Sequence, residues 1–340
     1  MSKSLTIIAL ALVALVSCAE SKEQFAVIEG AMLGTTLRIV ADIPGEPSEL
    51  YNAVMELDSK FKSEMSLFDP SSLLSRINRG ECDTLTPALS YNIQLSDSVS
   101  RLSGGYYDIT VAPLVKALGF GAKGEQQQDP NIDSLLEFVG FQKISLDGNK
   151  LIKHDSRTEI DLNSIAKGYV VDKVAELTQQ MGANNYLVDI GGEISCHGSN
   201  PHHEPWRIGI ESPIDGNMTN GELIEQRIQI PADSPLRAMA TSGNYRRFYL
   251  DEQGNKVAHT INPKDGHSAL STLLSVTVVA HNCALADAYS TMFMAVGSQH
   301  AVELSKSITN AEVYFIFANN NGSYDEYLSD GMKEFVMKKL

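Results

Sequence analysis

Residues 274–297 read LSVTVVAHNCALADAYSTMFMAVG. Leu274 to Ala280 is a short β-branched apolar run, the composition of a buried strand. Cys283 to Gly297 reads as a helix that is apolar nearly all round, so it belongs in an interior. Yet this helix carries Asp287 and Thr291, one turn apart and on one face. A buried, unpaired carboxylate costs on the order of several kcal/mol. Something must compensate it.

Outward from this stretch, strands mostly adjoin other strands. Phe25 to Val40 reads as a strand pair around Gly30 and Gly34. Lys143 to Ile160 alternates and turns at Asp147-Gly148, a hairpin signal. Tyr186–Ile194, Trp206–Glu211, Ile224–Ile230 and Ala238–Thr241 read as further strands. Tyr245 to Asn262 reads as a hairpin turning at residues 253–255, and residues 313–327 as another around Asn321-Gly322. Three helices stand among them. One is capped by Ser48 with the apolar face Leu50, Val54, Leu57 and Phe61. One runs from Pro87 to Leu102 and stops at Gly104-Gly105, and one from Ser164 to Met181 before Gly182. The expectation is an α+β fold with largely antiparallel sheet and packed helices. No repeat and no GxGxxG or GxxxxGK[ST] loop is present, which argues against ordinary dinucleotide and P-loop folds.

The chain has 340 residues, 43% hydrophobic and 20% charged, with a formal net charge of -15. That balance argues against unaided nucleic-acid binding. An anionic ligand here needs a metal ion, backbone N–H groups or a local basic residue. The N-terminus, MSKSLTIIALALVALVSCAE, has the shape of a secretory signal, too short for a comfortable bilayer span. Residues 15–18 (LVSC) resemble a bacterial lipobox, with Cys18 as the lipidated residue. The expected organisation is residues 1–17 as a signal peptide, 18–24 as a tether, and 25–340 as one domain or two tightly packed subdomains. The expected location is the periplasmic side of a membrane. Cys82, Cys196 and Cys283 fit no zinc spacing.

Four segments carry candidate chemistry. Asp287 and Thr291 offer hard oxygen ligands suited to Mg²⁺; the alternative is a carboxylate satisfied by backbone N–H groups. In EIDLNSIAKGYVVD (159–172), Lys167 sits near a helix start, where anions bind readily, and Asp161 can accept from a ligand. In SGGYYDITVAPLVKALGFG (103–121), Tyr106 and Tyr107 can stack on a flat ring or pack in the core, and Asp108 follows them. His259 lies at the end of a hairpin strand and can carry a proton near neutral pH.

Taken together, these segments resemble the ApbE family, the FAD:protein FMN transferases. Residues 33–36 (LGTT) are similar to its MGT-type start, and residues 65–78 (MSLFDPSSLLSRIN) to its MS-x-aromatic block. GYYDITVAPLV, IDLNSIAKGYVVD, the GGE of 191–193, TSGNYRR, HTINPKDG and ADAYSTMFMAVG follow in the family's order. The resemblance implies that Asp287 and Thr291 hold Mg²⁺ with a carbonyl just before the AKG helix, here Ser164. It implies FAD contacts at Leu33 (or Met32), Phe68, Tyr106, Tyr107, Asp108, Asp161, Lys167 and Ile261. His259 takes the position of the family's functional histidine. The implied reaction joins FMN to a Thr or Ser hydroxyl of an acceptor flavoprotein and releases AMP, with His259 or Asp287 as the base. The implied acceptors carry a D-x-x-[ST]-G-A-[ST]-type motif, as in Nqr- and Rnf-type subunits. The rival activities are FAD hydrolysis to FMN and AMP, and FAD carriage without chemistry.

Overall fold

A computed structural model describes residues 25–338, apart from residues 123, 125, 128, 129, 215–222, 246 and 320. The expected signal peptide and tether lie outside the described residues. Fourteen strands are described: β1 (Ala26–Met32), β2 (Thr35–Ala41), β3 (Ile144–Asp147), β4 (Lys150–Lys153), β5 (Tyr186–Ile190), β6 (Glu193–His197), β7 (Trp206–Glu211), β8 (Ile224–Ile230), β9 (Ala238–Gly243), β10 (Phe248–Leu250), β11 (Lys256–Ala258), β12 (Leu273–Ala280), β13 (Ala311–Ala318) and β14 (Tyr324–Leu328). Eight of them form one sheet in the order β1-β2-β5-β6-β9-β12-β13-β14, and every neighbouring pair is antiparallel. The remaining pairs, β3-β4, β7-β8 and β10-β11, are separate two-stranded ribbons.

The sheet is covered on both faces, and alternation along the strands sorts the residues. On β12, Val276 and Val278 join one core while Val279 joins another. On β13, Phe315 faces the first core and Tyr314 and Ile316 the second. This is why residues 276–280 are buried without interruption: a central strand roofed on both sides loses its polar face. The first face is roofed by helices. The described α-helices are α1 (Pro47–Met65), α2 (Leu73–Asn78), α3 (Pro87–Leu102), α4 (Ala112–Ala117), α5 (Ile132–Leu136), α6 (Ala166–Gln180), α7 (Cys283–Val296), α8 (Ser298–Ser305) and α9 (Met332–Phe335) in chain order. Of these, α1, α3, α6 and α7 supply the main core. The β7-β8 ribbon and α9 cover the other face.

The α+β expectation holds, with some boundaries corrected. Glu46, not Ser48, occupies the N-cap of α1, because Pro47 takes the first helical position, where its missing N–H costs nothing. Residues 186–194 are not one strand. Gly191 and Gly192 adopt φ of 63° and 97° and fold the chain into the β5-β6 hairpin. The first hairpin turns at Leu33-Gly34, and Gly30 lies inside β1. Helix α6 begins at Ala166 rather than Ser164. All three described cysteines are free. No helix of the described residues is long and apolar enough to cross a membrane.

Candidate active site

Helix α7 is fixed at its start by two acceptors. Asn282 caps it through the Leu285 N–H at 2.9 Å. Asp172 of α6 takes the Cys283 and Ala284 N–H groups at 2.7 and 2.9 Å. Burial still pushes Asp172 up to about 6, so desolvation outweighs the two donors. One turn further on, Asp287 is 4% exposed. Its Oδ2 accepts the Gly168 N–H at 2.9 Å. Gly168 is in the first turn of α6, where N–H groups have no partner inside the helix. A buried carboxylate is thus set against a helix N-terminus, at its favourable end. Its Oδ1 has no hydrogen-bond partner among the described residues. Burial raises the Asp287 pKa, and Lys167 and the Gly168 N–H oppose that rise.

Beside this contact lies a cavity of about 110 Å³. Tyr106, Tyr107, Asp108, Asp161, Ser164, His259, Ile261 and Thr291 all line it. These come from four separated stretches of sequence. The Tyr107 hydroxyl accepts from Ser164 Oγ at 2.9 Å, and burial drives the phenol's pKa up. Asp108 Oδ1 accepts from the Thr110 N–H and hydroxyl at 2.8 and 2.6 Å. Asp161 Oδ1 accepts the Asn163 N–H at 2.7 Å. Burial raises both carboxyls. Thr291 Oγ1 lies 3.3 Å from Ser242 Oγ, which is also 2.8 Å from Ser290 Oγ. The Lys264 ammonium stands 3.8 Å from the centre of the Tyr106 ring, a cation–π contact.

His259 sits where the β10-β11 ribbon meets the cavity. Its Nδ1 is 3.2 Å from the Arg247 carbonyl. A carbonyl only accepts, so Nδ1 carries the proton and Nε2 presents its lone pair. Burial holds its pKa down, at about 4. The neutral ring is therefore the form present at neutral pH. The unfolded chain, near 6.5, takes up this proton first as pH falls. Stability is expected to fall between about pH 6.5 and pH 4, where the unfolded state binds more protons. Urea unfolding midpoints across that window test this: His259→Gln should flatten the slope, and an equal slope in both proteins would refute it.

The other expected residues lie off the cavity wall. Lys167 forms an ion pair with buried Glu193 at 2.5 Å. Leu33 takes φ of 52° in the first hairpin turn, and its N–H donates to Asp58 Oδ1 at 3.0 Å. Phe68 is 62% exposed. The sequence reading missed Arg247, Phe120 and Asn163, which also line the cavity, and Asp172 and Glu193, which fix its supports. Asp172 and Glu193 stand inside motifs already singled out, so a signal existed. Arg247 closes the TSGNYRR block, where nothing marked it as a contact.

The sequence model of the ApbE family matches residues 33–315. The chain belongs to the ApbE family. A Haemophilus influenzae relative named FAD:protein FMN transferase is 32% identical over 331 residues, covering 93% of each chain. A Vibrio cholerae relative of the same name is 31% identical over 341 residues, covering 98% of this chain and 99% of its own. The crystal structure of the flavin transferase ApbE from Vibrio cholerae superposes with a TM-score of 0.80 at 28% identity, covering 92% of this chain and 99% of that one. The large sheet and its helical roof are therefore the ApbE fold.

Proposed function

We propose that this ApbE-family chain is an FAD:protein FMN transferase, moving FMN from FAD to a Thr or Ser hydroxyl of an acceptor flavoprotein. The observation that carries this is the convergence of His259, Thr291 and Ser164 on one cavity beside buried Asp287. The relatives' names agree with it. In the balanced reaction the acceptor oxygen bonds to the phosphorus of the FMN half. The P–O bond to the bridging oxygen breaks, and AMP leaves with that oxygen.

A Mg²⁺ ion fits the residues present. Asp287 Oδ1 is an orphaned oxygen of a buried carboxylate, Thr291 adds a hydroxyl, and the Ser164 stretch faces the same cavity. No group of three His, Cys, Asp or Glu residues that could hold a metal ion occurs among the described residues, so the donors here are one carboxylate and neutral oxygens. One carboxylate with neutral oxygens leaves positions for water and phosphate, the usual arrangement for Mg²⁺. Bound there, the ion would neutralise phosphoryl charge as it develops. The chain's own residues do the rest. His259 Nε2 takes the acceptor proton, since Gly168 engages Asp287 Oδ2 and the metal would take its Oδ1. Tyr106 offers a ring face, Tyr107 packs in the core and holds Ser164 in place, and Asp108 and Asp161 offer acceptors for ribose or base N–H groups. Leu33, Phe68, Lys167 and Ile261 belong to the same proposed FAD site.

Incubation with FAD, Mg²⁺ and a flavoprotein bearing the D-x-x-[ST]-G-A-[ST] motif tests the proposal. A fluorescent acceptor band with stoichiometric AMP is expected. AMP without labelling would instead mean hydrolysis, and intact bound FAD would mean carriage. Nqr- and Rnf-type subunits are the proposed acceptors. We also propose anchoring through lipidated Cys18 at the periplasmic side, and domain limits of 25–340. Radiolabelled palmitate incorporation, lost in Cys18→Ser, checks the anchor.

A further inference from the structure

A diphosphate needs positive charge around it, and this acidic chain is short of it. The cavity wall carries Asp108 and Asp161. The nearby lysines are otherwise engaged: Lys116 pairs with Glu159, Lys167 with Glu193, and Lys264 stands over the Tyr106 ring. Arg247 differs. It lines the cavity and is exposed. Its Nη2 donates to the Phe120 carbonyl at 2.7 Å, and its guanidinium carbon is 5.8 Å from the Phe120 ring centre. Among the described residues no carboxylate forms an ion pair with it, although its charge reaches Asp161 on the same wall and opposes the rise of that carboxyl's pKa. These neutral contacts hold the group in place without cancelling its charge. A guanidinium has five N–H donors, so several remain for a ligand in the fork geometry that suits phosphate. The same residue's carbonyl holds His259 Nδ1. The guanidinium and the proposed base are therefore tied together across the open end of the β10-β11 ribbon, and the base must act beside phosphorus.

We propose that Arg247 is a substrate-recognition residue that grips the phosphate chain of the dinucleotide. This rests on the transferase reading above only in requiring that the dinucleotide occupy this cavity. It adds a contact outside the residues that the family resemblance implied. Because the grip is electrostatic, it should distinguish phosphorylated from unphosphorylated ligands of the same ring system.

Calorimetric titration of the Mg²⁺-supplemented protein with FAD, AMP, adenosine and riboflavin provides the test. Arg247→Gln is expected to weaken FAD and AMP by about tenfold or more, the scale of a lost charge-assisted hydrogen bond. Adenosine and riboflavin should bind as before. Arg247→Lys, which keeps the charge, should retain most of the preference for AMP over adenosine. Wild-type FAD binding should weaken more steeply with salt than that of the Gln variant. Unchanged FAD and AMP affinities in Arg247→Gln, with wild-type FAD binding intact, would overturn this inference and leave the transferase reading standing. Equal loss of AMP and adenosine would also overturn it, since that would mean stacking or packing. Wild-type protein that binds no FAD would overturn both.

Discussion

Gly168→Ala is expected to lower both stability and flavin transfer sharply. Inside a helix, Ala is normally favoured over Gly by about 1 kcal/mol, so α6 alone would gain. The tertiary contact reverses the sign. A Cβ at Gly168 would stand 2.6 Å from the Cys283 carbonyl carbon and 2.8 Å from Asp287 Cβ. Both belong to the rigid start of α7, so no side-chain tip can swing aside. Relief requires α6 to move away from α7. Overpacking of this kind costs about 1–3 kcal/mol, occasionally more. The same movement pulls the Gly168 N–H from Asp287 and displaces Lys167 and Ser164 together. A misplacement of about 1 Å at a reacting centre costs on the order of 100-fold in rate. Thermal unfolding and the acceptor-labelling assay should therefore fail together. An unchanged melting temperature would show that the two helices are not tightly apposed here.

Asp287→Asn is expected to do the opposite to stability while destroying function. Asparagine keeps an oxygen that can accept the Gly168 N–H. It removes a charge whose ionised form burial disfavours. The metal-free variant should melt at the wild-type temperature or above it. Transfer should fall by about a thousandfold or more, because several kcal/mol of phosphoryl-charge stabilisation depend on the cation. Added Mg²⁺ should raise the melting temperature of the wild type, since it binds only the folded state, and leave the variant unmoved. A variant that keeps its Mg²⁺-dependent rise in melting temperature would refute the metal assignment. Loss of stability in the metal-free variant would instead mark Asp287 as a structural carboxylate.

Much of the local structure was legible from residue order, because local rules govern it. Helix α3 has the expected limits, Pro87 to Leu102, since Thr86 caps it and proline opens it. The β3-β4 turn lies at the expected Asp147-Gly148, and Gly148 takes φ of 60°. Helix α7 is buried along nearly its whole length, as its composition requires. The short helices α2 and α8 escaped notice because six or eight residues leave too little periodicity to read.

Residue order alone determined the strand-rich α+β class, the buried helix of residues 283–296 and the pairing of Asp287 with Thr291 on one of its faces. Spacing along a single element fixes such facts. Only the tertiary structure decided the sheet order, which sets β9 between β6 and β12. It alone joined Lys167 to Glu193, Asp172 to the start of α7, and Arg247 to Phe120. Each of those contacts bridges residues far apart in the chain. Their choice depends on how whole elements bury their apolar faces, and no local pattern encodes that.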